Sequence, residues 1–527
     1  MMLLRTLVVL LTGLLVPSTI VAQVTFNQIA VSGETTPAGG VYGSFSQPSI
    51  NGSGDVAFGT TFITGAEAIF GPTSGAGSSL GQIALAATSA PGVTDGAEFN
   101  FFFPPSINDS GDVVFEAGLR TGPALEDGLV TFINSAAIFG PTSGAGASLA
   151  LIARADDPAG VADGAEFSAF SPSSINASGD VAFASILRTG TGPVVGASNN
   201  ATIFGPTTGA GSSLGLIARE GTPAPGVADG AEYDFLSAPA LNASGDVAFR
   251  GVLRTGTGAV VGGSNNSAVF GPTSGAGSPL GLIVREGAPA PGAGGAVFDS
   301  FSDPRLNASG DLAFPAILRT GTGANVNDNN CDAMFGPTAG AGSPLGLIAR
   351  EDTPAPGAGG AEFELFGFPS LNALGDIAFT ANLRTGTGTA VDASNTTALF
   401  TSAAGQLRQV VRAGDLITVT LPGGAGTQDR IVANIDFSNS GLNDAGILAF
   451  RLIFTDGSQG IFTTDANSGS VLLADVNLDG IVNFLDISPF IMRLTTGVVQ
   501  AEADINQDGI INFLDIAPFI QVLTNQS

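Results

Sequence analysis

The pattern Asn-x-x-Gly, followed by a short apolar run that ends in Phe, recurs seven times in this chain and restricts its possible folds more than any other feature. The copies begin, in order, at Asn51, Asn108, Asn176, Asn242, Asn307, Asn372 and Asn443. Successive copies lie 57, 68, 66, 65, 65 and 71 residues apart, which defines a unit of about 65 residues. Self-similarity at such a period is typical of repeat architectures, in which every unit is one small supersecondary element.

Each unit is predicted to contain four short β-strands. The strand segments read LGLIARE, a segment that ends in Pro-x-(Ile/Leu)-Asn, GDVAF continuing to LRTG, and AIFG. Asn opens a type I turn well and Gly accepts the positive φ of a short hairpin loop, so the repeated Asn-x-x-Gly joins the second strand to the third. Gly and Pro interrupt the rest of the unit, which shows no sustained helical periodicity.

Four strands repeated seven times predict an all-β domain, a seven-bladed β-propeller, because radial repetition leaves few exposed strand edges. The two ends of the repeat region complement each other. Residues 24–50 match the first part of the unit, and GIFTT and GSVLLA after the seventh motif match AIFG and LGLIA. A strand from each end could therefore complete the ring. A β-solenoid is the alternative, but its turns are usually shorter than this unit.

The repeated motif resembles that of the bacterial tandem-repeat surface proteins defined by NxxGxxAF, the choice-of-anchor group. The resemblance covers residues 24–470 and departs from the pattern at Ile447, which stands where the earlier copies have Asp. It carries no enzymatic activity over to this chain. It implies an exported protein whose C-terminal sorting or docking module differs between members.

The charged residues exclude several classes of function. The chain has 17 basic residues, all of them Arg, against 45 acidic ones, which gives a net charge of −28, and it has no His and no Lys. Ser-His-Asp and Cys-His catalysis, Schiff-base lysines, P-loop lysines and imidazole metal ligands are therefore excluded. The negative charge also argues against nucleic acid and anionic membrane surfaces as partners, since both are bound through cationic side chains.

The N-terminus has the features of a secretory signal peptide. Arg5 precedes an apolar run at residues 7–16, and small residues around Ala22 follow that run. The run is too short to span a bilayer comfortably. We therefore expect residues 1–22 to be a cleaved signal peptide and no other segment to span a membrane; an uncleaved anchor is the alternative.

Cys331 is the single cysteine, so the chain can form no internal disulfide. Exported domains without disulfides need a large core or a bound metal for their stability. The thiol is interpreted either as a tolerated free cysteine or as one half of an intermolecular disulfide.

The C-terminal tail contains two calcium-loop motifs in register. DVNLDGIVNFLD spans residues 475–486 and DINQDGIINFLD spans residues 504–515, so the copies are 29 residues apart. Each has oxygen-bearing side chains at loop positions 1, 3, 5, 9 and 12 and Gly at position 6, as a 12-residue loop needs to surround Ca²⁺ with six to eight oxygens. The predicted ligands of the first site are Asp475, Asn477, Asp479, the carbonyl of Ile481, Asn483 through water, and Asp486. Those of the second site are Asp504, Asn506, Asp508, the carbonyl of Ile510, Asn512 through water, and Asp515.

The two loops resemble a type I dockerin, in which each of two calcium loops is followed by one helix. The resemblance covers residues 473–527 and implies two bound calcium ions and, as partner, a cohesin domain of another protein. In dockerins the residues just before the last ligand help to choose the partner, and they are often polar. Here they are Phe484-Leu485 and Phe513-Leu514, which are expected either to bind a partner or to pack the two halves together.

Three other repeated features are interpreted as structural. The Gly-rich segment GAGSSLG recurs without a following Lys or helix pattern, so it is a turn and not a phosphate loop. The motif aspartates are expected to cap backbone N–H groups in their turns, with calcium binding as the alternative. The Arg of LRTG and the Arg-Glu pairs that follow LGLIA are expected to join neighbouring blades. The aspartates are Asp55, Asp112, Asp180, Asp246, Asp311 and Asp376, and the LRTG arginines are Arg188, Arg254, Arg319 and Arg384.

A catalytic site should break the repeat, because only one blade needs it. The acids that do so are Glu126-Asp127, Asp156-Asp157, Asp328, Asp332 and Asp392, and they form no recognisable pair of the kind that glycoside hydrolysis requires. Asn-rich loops occupy one position in units three to six. On a rigid scaffold they suit hydrogen bonding to sugars or protein, although flexible linkers explain them equally well.

The sequence thus predicts a signal peptide at residues 1–22, a repeat domain at residues 23–470 and a docking module at residues 473–527. The expected function is non-catalytic: binding, adhesion or scaffolding outside the cell or on its surface, with a polysaccharide or surface ligand on the propeller loops. The alternative is an extracellular polysaccharide-degrading enzyme that carries a carboxylate pair and is docked to an assembly by the same tail.

Overall fold

The computed structural model describes residues 25–120, 136–191, 195–257, 261–323, 326–388 and 391–466 and, in the C-terminal tail, residues 474, 476, 482, 484–496, 503, 505 and 511–525. The described chain divides into two compact units, of which the larger spans residues 24–469 and the smaller includes the tail. The larger unit consists of seven antiparallel sheets arranged as a ring of blades. The prediction of an all-β, seven-bladed propeller is confirmed.

The strands follow one pattern from blade to blade. The N-terminal strand and those of the first three blades are β1 (Asn27–Val31); β2 (Tyr42–Phe45), β3 (Ser49–Ile50), β4 (Val56–Phe62), β5 (Glu67–Pro72), β6 (Leu80–Leu85); β7 (Glu98–Phe102), β8 (Ser106–Ile107), β9 (Val113–Arg120), β10 (Ala136–Pro141), β11 (Leu149–Arg154); β12 (Phe167–Phe170), β13 (Ser174–Ile175), β14 (Val181–Leu187), β15 (Ala201–Pro206), β16 (Leu214–Arg219). Those of the fourth to sixth blades are β17 (Tyr233–Leu236), β18 (Ala240–Leu241), β19 (Val247–Leu253), β20 (Ser267–Pro272), β21 (Leu280–Arg285); β22 (Phe298–Phe301), β23 (Arg305–Leu306), β24 (Leu312–Leu318), β25 (Asp332–Pro337), β26 (Leu345–Arg350); β27 (Phe363–Phe366), β28 (Ser370–Leu371), β29 (Ile377–Leu383), β30 (Thr397–Thr401), β31 (Arg408–Arg412). The last blade contains β32 (Leu416–Thr420), β33 (Thr427–Leu442), β34 (Ile447–Phe454) and β35 (Gln459–Asp465).

The innermost strand of each of the first six blades is divided into a longer piece and a two-residue piece. In the third blade, for example, β12 and β13 both pair with β14, which pairs with β15, which pairs with β16. In most blades a Pro immediately precedes the short piece, as Pro304 does in the fifth blade. Because Pro donates no ladder hydrogen bond, it interrupts the strand at this point. The short pieces of neighbouring blades contact one another, so they surround the centre of the ring.

The N-terminal strand closes the ring. β1 pairs antiparallel with β35, so the last blade has the order β1-β35-β34-β33-β32. Asn27 lies opposite Thr463 in this pair. The outer strand of the seventh blade therefore comes from the opposite end of the repeat region, and no separate N-terminal blade forms within the described residues.

The motif asparagines form a ring of hydrogen bonds that joins the blades. Each is buried, and its Oδ1 accepts the backbone N–H groups two or four residues later, as Asn242 does from Ser244 and Asp246. For the six motif asparagines from Asn108 onwards, Nδ2 donates to the backbone carbonyl of the next motif asparagine, as from Asn242 to Asn307 at 3.2 Å. Between the first and second blades the N–H of Gly52 instead donates to Asp109 Oδ1, at 2.7 Å. The last link runs from Asn443 to the carbonyl of Asn51, at 2.9 Å, and joins the seventh blade to the first. The repeated Asn thus both folds its own turn and fixes its blade to a neighbour.

Apolar side chains fill the spaces between the blades. Seven buried clusters of Phe, Ala, Val, Leu and Ile each draw on adjacent blades. The motif Phe of one strand stacks on the Phe of the next strand in its blade, as Phe183 does on Phe204 with ring centroids 5.8 Å apart. Large aromatic rings between small Ala side chains suit a wedge-shaped interface.

Two short helices form the described core of the tail. They are α1 (Ile487–Thr496) and α2 (Ile516–Asn525). Pro489 and Pro518 lie in their first turns, where the missing N–H group costs no helical hydrogen bond. Among the described residues, no helix is both long enough and apolar enough to cross a membrane.

Candidate functional site

The motif aspartates serve the propeller framework. Asp246 Oδ2 accepts the side-chain N–H of Asn242 at 2.9 Å and the backbone N–H of Gly277 at 2.7 Å. Ala276, in the same Gly-rich loop, donates its N–H to the carbonyl of Ser309 in the next blade. Equivalent bonds to the Gly-rich loops are made by Asp55, Asp112, Asp180 and Asp311. The amides of these loops therefore have protein partners, in agreement with a structural turn and with aspartates that cap N–H groups.

The arginines of LRTG form ion pairs between neighbouring blades. Arg254 Nη2 lies 3.3 Å from Glu220 Oε1 of the preceding blade, and Arg319 lies 2.9 Å from Glu286 in the same way. Arg254 also donates to the carbonyl of Ser198, in the Asn-rich loop of the preceding blade. These arginines therefore anchor the Asn-rich loops, which their sequence alone does not indicate.

The acids that break the repeat make local contacts. Asp156 is in an ion pair with Arg188 of the next blade. Asp392 accepts the hydroxyl and the backbone N–H of Ser394. Glu126 and Asp127 lie outside the described residues. Within the described part of the chain, no group of three or more acidic or cysteine side chains could hold a metal ion.

Asp332 and Glu351 are two acidic residues that lie close together. Both are buried, and Glu351 Oε2 accepts the backbone N–H of Asp332 at 3.2 Å. Burial, with the charge of Glu351 as a smaller cause, raises the pKa of Asp332 to about 6. Glu351 is in turn paired with Arg384 at 3.1 Å, and Asp332 Oδ2 lies 3.5 Å from the N–H of Phe366 in the next blade. Because both carboxylates have protein partners, the pair connects blades and does not face an open cleft.

Glu116, on β9, is a repeat-breaking acid that the sequence interpretation missed. It stands directly after the motif Phe115, a position that holds Gly, Ala, Pro, Thr or Arg in the other blades. Its side chain is only 7% exposed, and no hydrogen bond or ion pair reaches its carboxylate within the described residues. Burial raises the pKa of Glu116 to about 7. Val114 packs between the second and third blades, and strand alternation directs Glu116 to the same boundary.

Cys331 is half-buried and free. Its Sγ donates to the carbonyl of Asp328 at 3.9 Å. Burial, with Glu351 nearby, raises the pKa of the thiol, which lowers the fraction of reactive thiolate at neutral pH.

Most of the predicted calcium ligands lie outside the described residues; of the described ones, Asp486 and Asp515 are buried and Asn512 is half-buried. The ligands outside are Asp475, Asn477, Asp479, Ile481, Asn483, Asp504, Asn506, Asp508 and Ile510. Asp486 and Asp515, the last ligand of each loop, are 0% exposed. Asp515 Oδ2 accepts the N–H of Asn512 at 2.8 Å. Both loops therefore direct their final carboxylate into the interior of the tail.

The donor set fits calcium. A buried carboxylate needs a cation or several hydrogen bonds, and Asp486 and Asp515 are both buried in a segment with seven acids and a single Arg at residues 473–527. Carboxylate, amide and carbonyl oxygens are the ligands that a hard divalent cation such as Ca²⁺ prefers. Calcium bound there would offset the negative charge that one Arg leaves in excess on the tail.

The two halves of the tail pack through a pair of helical phenylalanines. Phe490 of α1 and Phe519 of α2 stack with ring centroids 3.9 Å apart and an interplanar angle of 5°. By contrast, Phe484 and Phe513 are 74% and 81% exposed, and the leucines that follow them are exposed as well. The apolar pairs before the last ligands therefore do not hold the halves together.

Two family models match the chain. The model of a family of unknown function (DUF7453) matches residues 21–467, and the dockerin type I domain matches residues 473–524. The first covers most of the sequence, so the chain belongs to the DUF7453 family, and its tail is a type I dockerin domain. The resemblance of the repeat motif to the choice-of-anchor group stays a prediction. No curated protein gives a significant match to this sequence.

The solved structures that match this chain share little sequence with it. A Trypanosoma rangeli sialidase in complex with the inhibitor DANA has 11% identity and a TM-score of 0.30; the match covers 73% of this chain and 58% of the sialidase. An exo-β-1,3-galactanase from Clostridium thermocellum has 11% identity and a TM-score of 0.26, with 84% and 97% covered. An α-L-arabinofuranosidase from Fusarium graminearum has 9% identity and a TM-score of 0.28, with 84% and 97% covered.

Proposed function

We propose that this protein is an exported docking protein: its calcium-bound dockerin tail binds a cohesin domain of a partner protein and thereby attaches the propeller to an extracellular assembly. The proposed parts are a signal peptide at residues 1–22, the propeller at residues 23–470 and the docking module at residues 473–527. The propeller would act as a binding domain in that assembly. The dockerin type I match supports the protein partner and calcium in general terms.

The exposure of the duplicated apolar pairs carries the docking proposal. Phe484-Leu485 and Phe513-Leu514 occupy corresponding positions in the two halves and are exposed, whereas the halves pack through Phe490 and Phe519. Exposed Ile491 and Met492 lie on α1, and exposed Ile520 lies on α2. Large exposed apolar side chains that form a patch mark interaction sites, and the number of such side chains in this short tail favours one here. We therefore expect the complementary surface of the cohesin partner to be apolar.

Two calcium ions are proposed to order this surface. Asp475, Asn477, Asp479, the carbonyl of Ile481, Asn483 through water and Asp486 would hold one ion. Asp504, Asn506, Asp508, the carbonyl of Ile510, Asn512 through water and Asp515 would hold the other. Each Phe-Leu pair directly precedes the last ligand of its loop, so ion binding and presentation of the apolar pair are expected to be coupled.

A binding role for the propeller is supported by how its charged side chains are used. The described acids mostly pair with arginines or backbone N–H groups of neighbouring blades, and Asp332 and Glu351 are buried together. The Asn-rich loops are anchored by the arginine of the following blade. Anchored, polar loops on a rigid scaffold suit a polysaccharide or surface ligand.

A second candidate function is that of a polysaccharide-degrading enzyme, and Glu116 is the observation that favours it. A buried carboxyl with a pKa near 7 can donate a proton at neutral pH, which is the task of a general acid in glycoside hydrolysis. Release of reducing sugar from a polysaccharide panel by the full chain, abolished in Glu116→Gln, would establish this function over the first. Equal absence of product from both proteins supports the binding role.

Docking is tested by capture of the full chain on immobilised type I cohesin domains. We expect capture in millimolar calcium, its loss in excess EGTA, and its loss when both pairs are changed by Phe484→Ser, Leu485→Ser, Phe513→Ser and Leu514→Ser. Ile63→Ser, at an exposed isoleucine of the propeller, is the matched control and should bind normally. Capture that survives EGTA or the quadruple change would contradict the proposal, as would failure to bind any cohesin in a broad panel.

A further inference from the structure

The short inner strands place one residue of each blade at the same level of the central channel, and in one blade that residue is Arg. Six of the equivalent positions carry Ser, Ala or Gly, and the fifth blade carries Arg305 in DPRLN. The set is Ser49, Ser106, Ser174, Ala240, Arg305, Ser370 and Gly441. A long cation therefore stands at a position that small residues hold in the other six blades.

The channel contains a cavity with Arg305 as its one charged lining residue. The cavity has a volume of about 170 Å³. Its lining comes from all seven blades and includes Ser370 of the sixth blade and Asn439 of the seventh. Ser370 Oγ accepts the N–H of Leu442, so its own O–H proton remains available to a ligand.

Arg305 has no protein partner that satisfies its guanidinium. Its Nε is buried without a hydrogen bond, and no ion pair to it is formed within the described residues. The nearest acid in sequence, Asp303, lies 3.7 Å from the Nε of Arg250. Arg250 also stacks over the ring of Phe235 at 5.0 Å. Asp303 thus pairs with Arg250 and forms no ion pair with Arg305 within the described residues.

Burial acts on this charge without removing it. Loss of hydration lowers the pKa of Arg305 to about 10, and Asp303 opposes the shift. The side chain therefore stays protonated at neutral pH. The side chain as a whole is half-buried, and its Nε is buried without a hydrogen bond. An anion placed beside it would offset the hydration that the guanidinium has lost.

We propose that the channel is a binding site for a small oxyanion, with Arg305 as its principal ligand and with Ser370 and Asn439 as additional hydrogen-bond donors. A guanidinium presents its N–H groups in a planar fork that matches the two oxygens of a carboxylate or sulfate. The volume lies below the roughly 300 to 1,000 Å³ typical of pockets for larger organic ligands. The oxyanion is thus either a free ion or the carboxylate of an acidic sugar whose remainder stays outside the cavity.

This site does not depend on the docking tail, and it is distinct from Glu116. It lies at the centre of the ring, whereas Glu116 lies between the second and third blades. A negative result in the docking or the polysaccharide-cleavage experiment would therefore not count against the proposed anion site.

The experiment is calorimetric titration of the full chain with sulfate, acetate and glucuronate at constant ionic strength, with chloride as the balancing anion. We expect one saturable site for at least one of these anions, with affinity reduced about tenfold or more in Arg305→Ser, since hydrogen bonds to charged groups are worth roughly that factor. Ser occupies the equivalent position in four other blades, so Arg305→Ser should fold. Arg305→Lys, which keeps the charge but loses the fork, should bind with intermediate affinity.

Arg120→Ser is the matched control, because it removes one positive charge from the rim of the second blade, where Arg120 pairs with Glu98. It should bind like the unaltered protein. Tighter binding of sulfate or acetate identifies a free ion as the ligand, and tighter binding of glucuronate identifies an acidic sugar. Either result supports the site when Arg305→Ser weakens the binding by about tenfold or more. Absence of saturable binding, or equal binding by Arg305→Ser, overturns it.

Discussion

The buried acidic side chains of this protein differ in whether a positively charged partner offsets the free-energy cost of burying the carboxylate. Glu220 and Glu286 are buried but pair with an arginine of the next blade. Glu116 is equally buried and has no such partner in the described residues. Burial without a partner disfavours the charged form of a carboxyl, so the pKa of Glu116 rises.

Glu116→Gln is predicted to stabilise the propeller at alkaline pH. The pKa of Glu116 rises from 4.5 to about 7 on folding. Between these values the folded state binds more protons than the unfolded state, so this group lowers the free energy of unfolding as pH increases. At pH 8 the substitution should raise that free energy by up to about 3 kcal/mol, and at pH 4 by nearly nothing. Denaturant unfolding at both pH values measures the difference.

The exposed Glu364 on β27 provides the control for this prediction. Glu364→Gln should leave the free energy of unfolding nearly unchanged at both pH values. A Glu116→Gln protein that is destabilised at pH 8 would show that the carboxylate has a favourable partner in solution. A gain at pH 4 as large as that at pH 8 would show that ionisation of Glu116 is not the cause of the effect.

At the scale of the strands, the sequence predicts four per unit, and the structure adds a fifth short one. A strand of two residues is too short to show the alternation of apolar and polar residues from which strands are predicted. These strands form because the chain pairs again with the next strand after the interruption at Pro. The sequence also predicts that both ends complete the ring. That β1 is an outer strand follows only from its pairing with β35.

The candidate sites were predictable only where the residue pattern itself encodes the chemistry. The spacing of the calcium loops predicts their ligands, because a 12-residue loop can wrap one ion. Whether Phe484 packs or is exposed depends on which other residues fill the core, and Phe490 and Phe519 do so. Glu116 and Arg305 lie within strands, where burial and lack of partners arise from neighbouring blades.

The ring of motif asparagines predicts a large effect of removing one of them. Asn242→Ala deletes the acceptor for Ser244 and Asp246 and the donor to Asn307, all at a buried position. Each buried group left unpaired costs about 1 to 3 kcal/mol, so the total loss should be roughly 3 kcal/mol or more. Denaturant unfolding measures it.

Ser244→Ala in the same turn is the matched control. Asn242 uses only the backbone N–H of Ser244, which Ala retains. The control should therefore change the free energy of unfolding by less than about 0.5 kcal/mol, as surface substitutions usually do. Equal effects of the two substitutions would show that the asparagine ring contributes little to stability.

At the scale of the whole molecule, the two compact units obtain stability from different sources. The propeller closes through strand pairing, the asparagine ring and seven apolar clusters. The tail has two ten-residue helices and one small cluster around Phe490 and Phe519. So small a core rarely suffices without a disulfide or a metal. Calcium should therefore matter to one unit and not to the other.

Hydrogen exchange of the full chain with calcium or with EGTA tests this difference. Metal that binds only the folded tail stabilises it by RT ln(1 + [L]/Kd), about 2.7 kcal/mol per site at a hundredfold excess over Kd. Removal of calcium by EGTA should therefore speed the exchange of the tail amides by about a hundredfold for one filled site and by about ten-thousandfold for two. Peptides that contain α1 and α2 should show this change, and those of the propeller should not.

The double variant Asp486→Asn, Asp515→Asn should exchange rapidly in both conditions, because an amide replaces the buried carboxylate in each loop. Equal protection of the helices with and without calcium would contradict the idea that metal completes the fold of the tail. Propeller peptides that respond to calcium would place a second metal site among the blades.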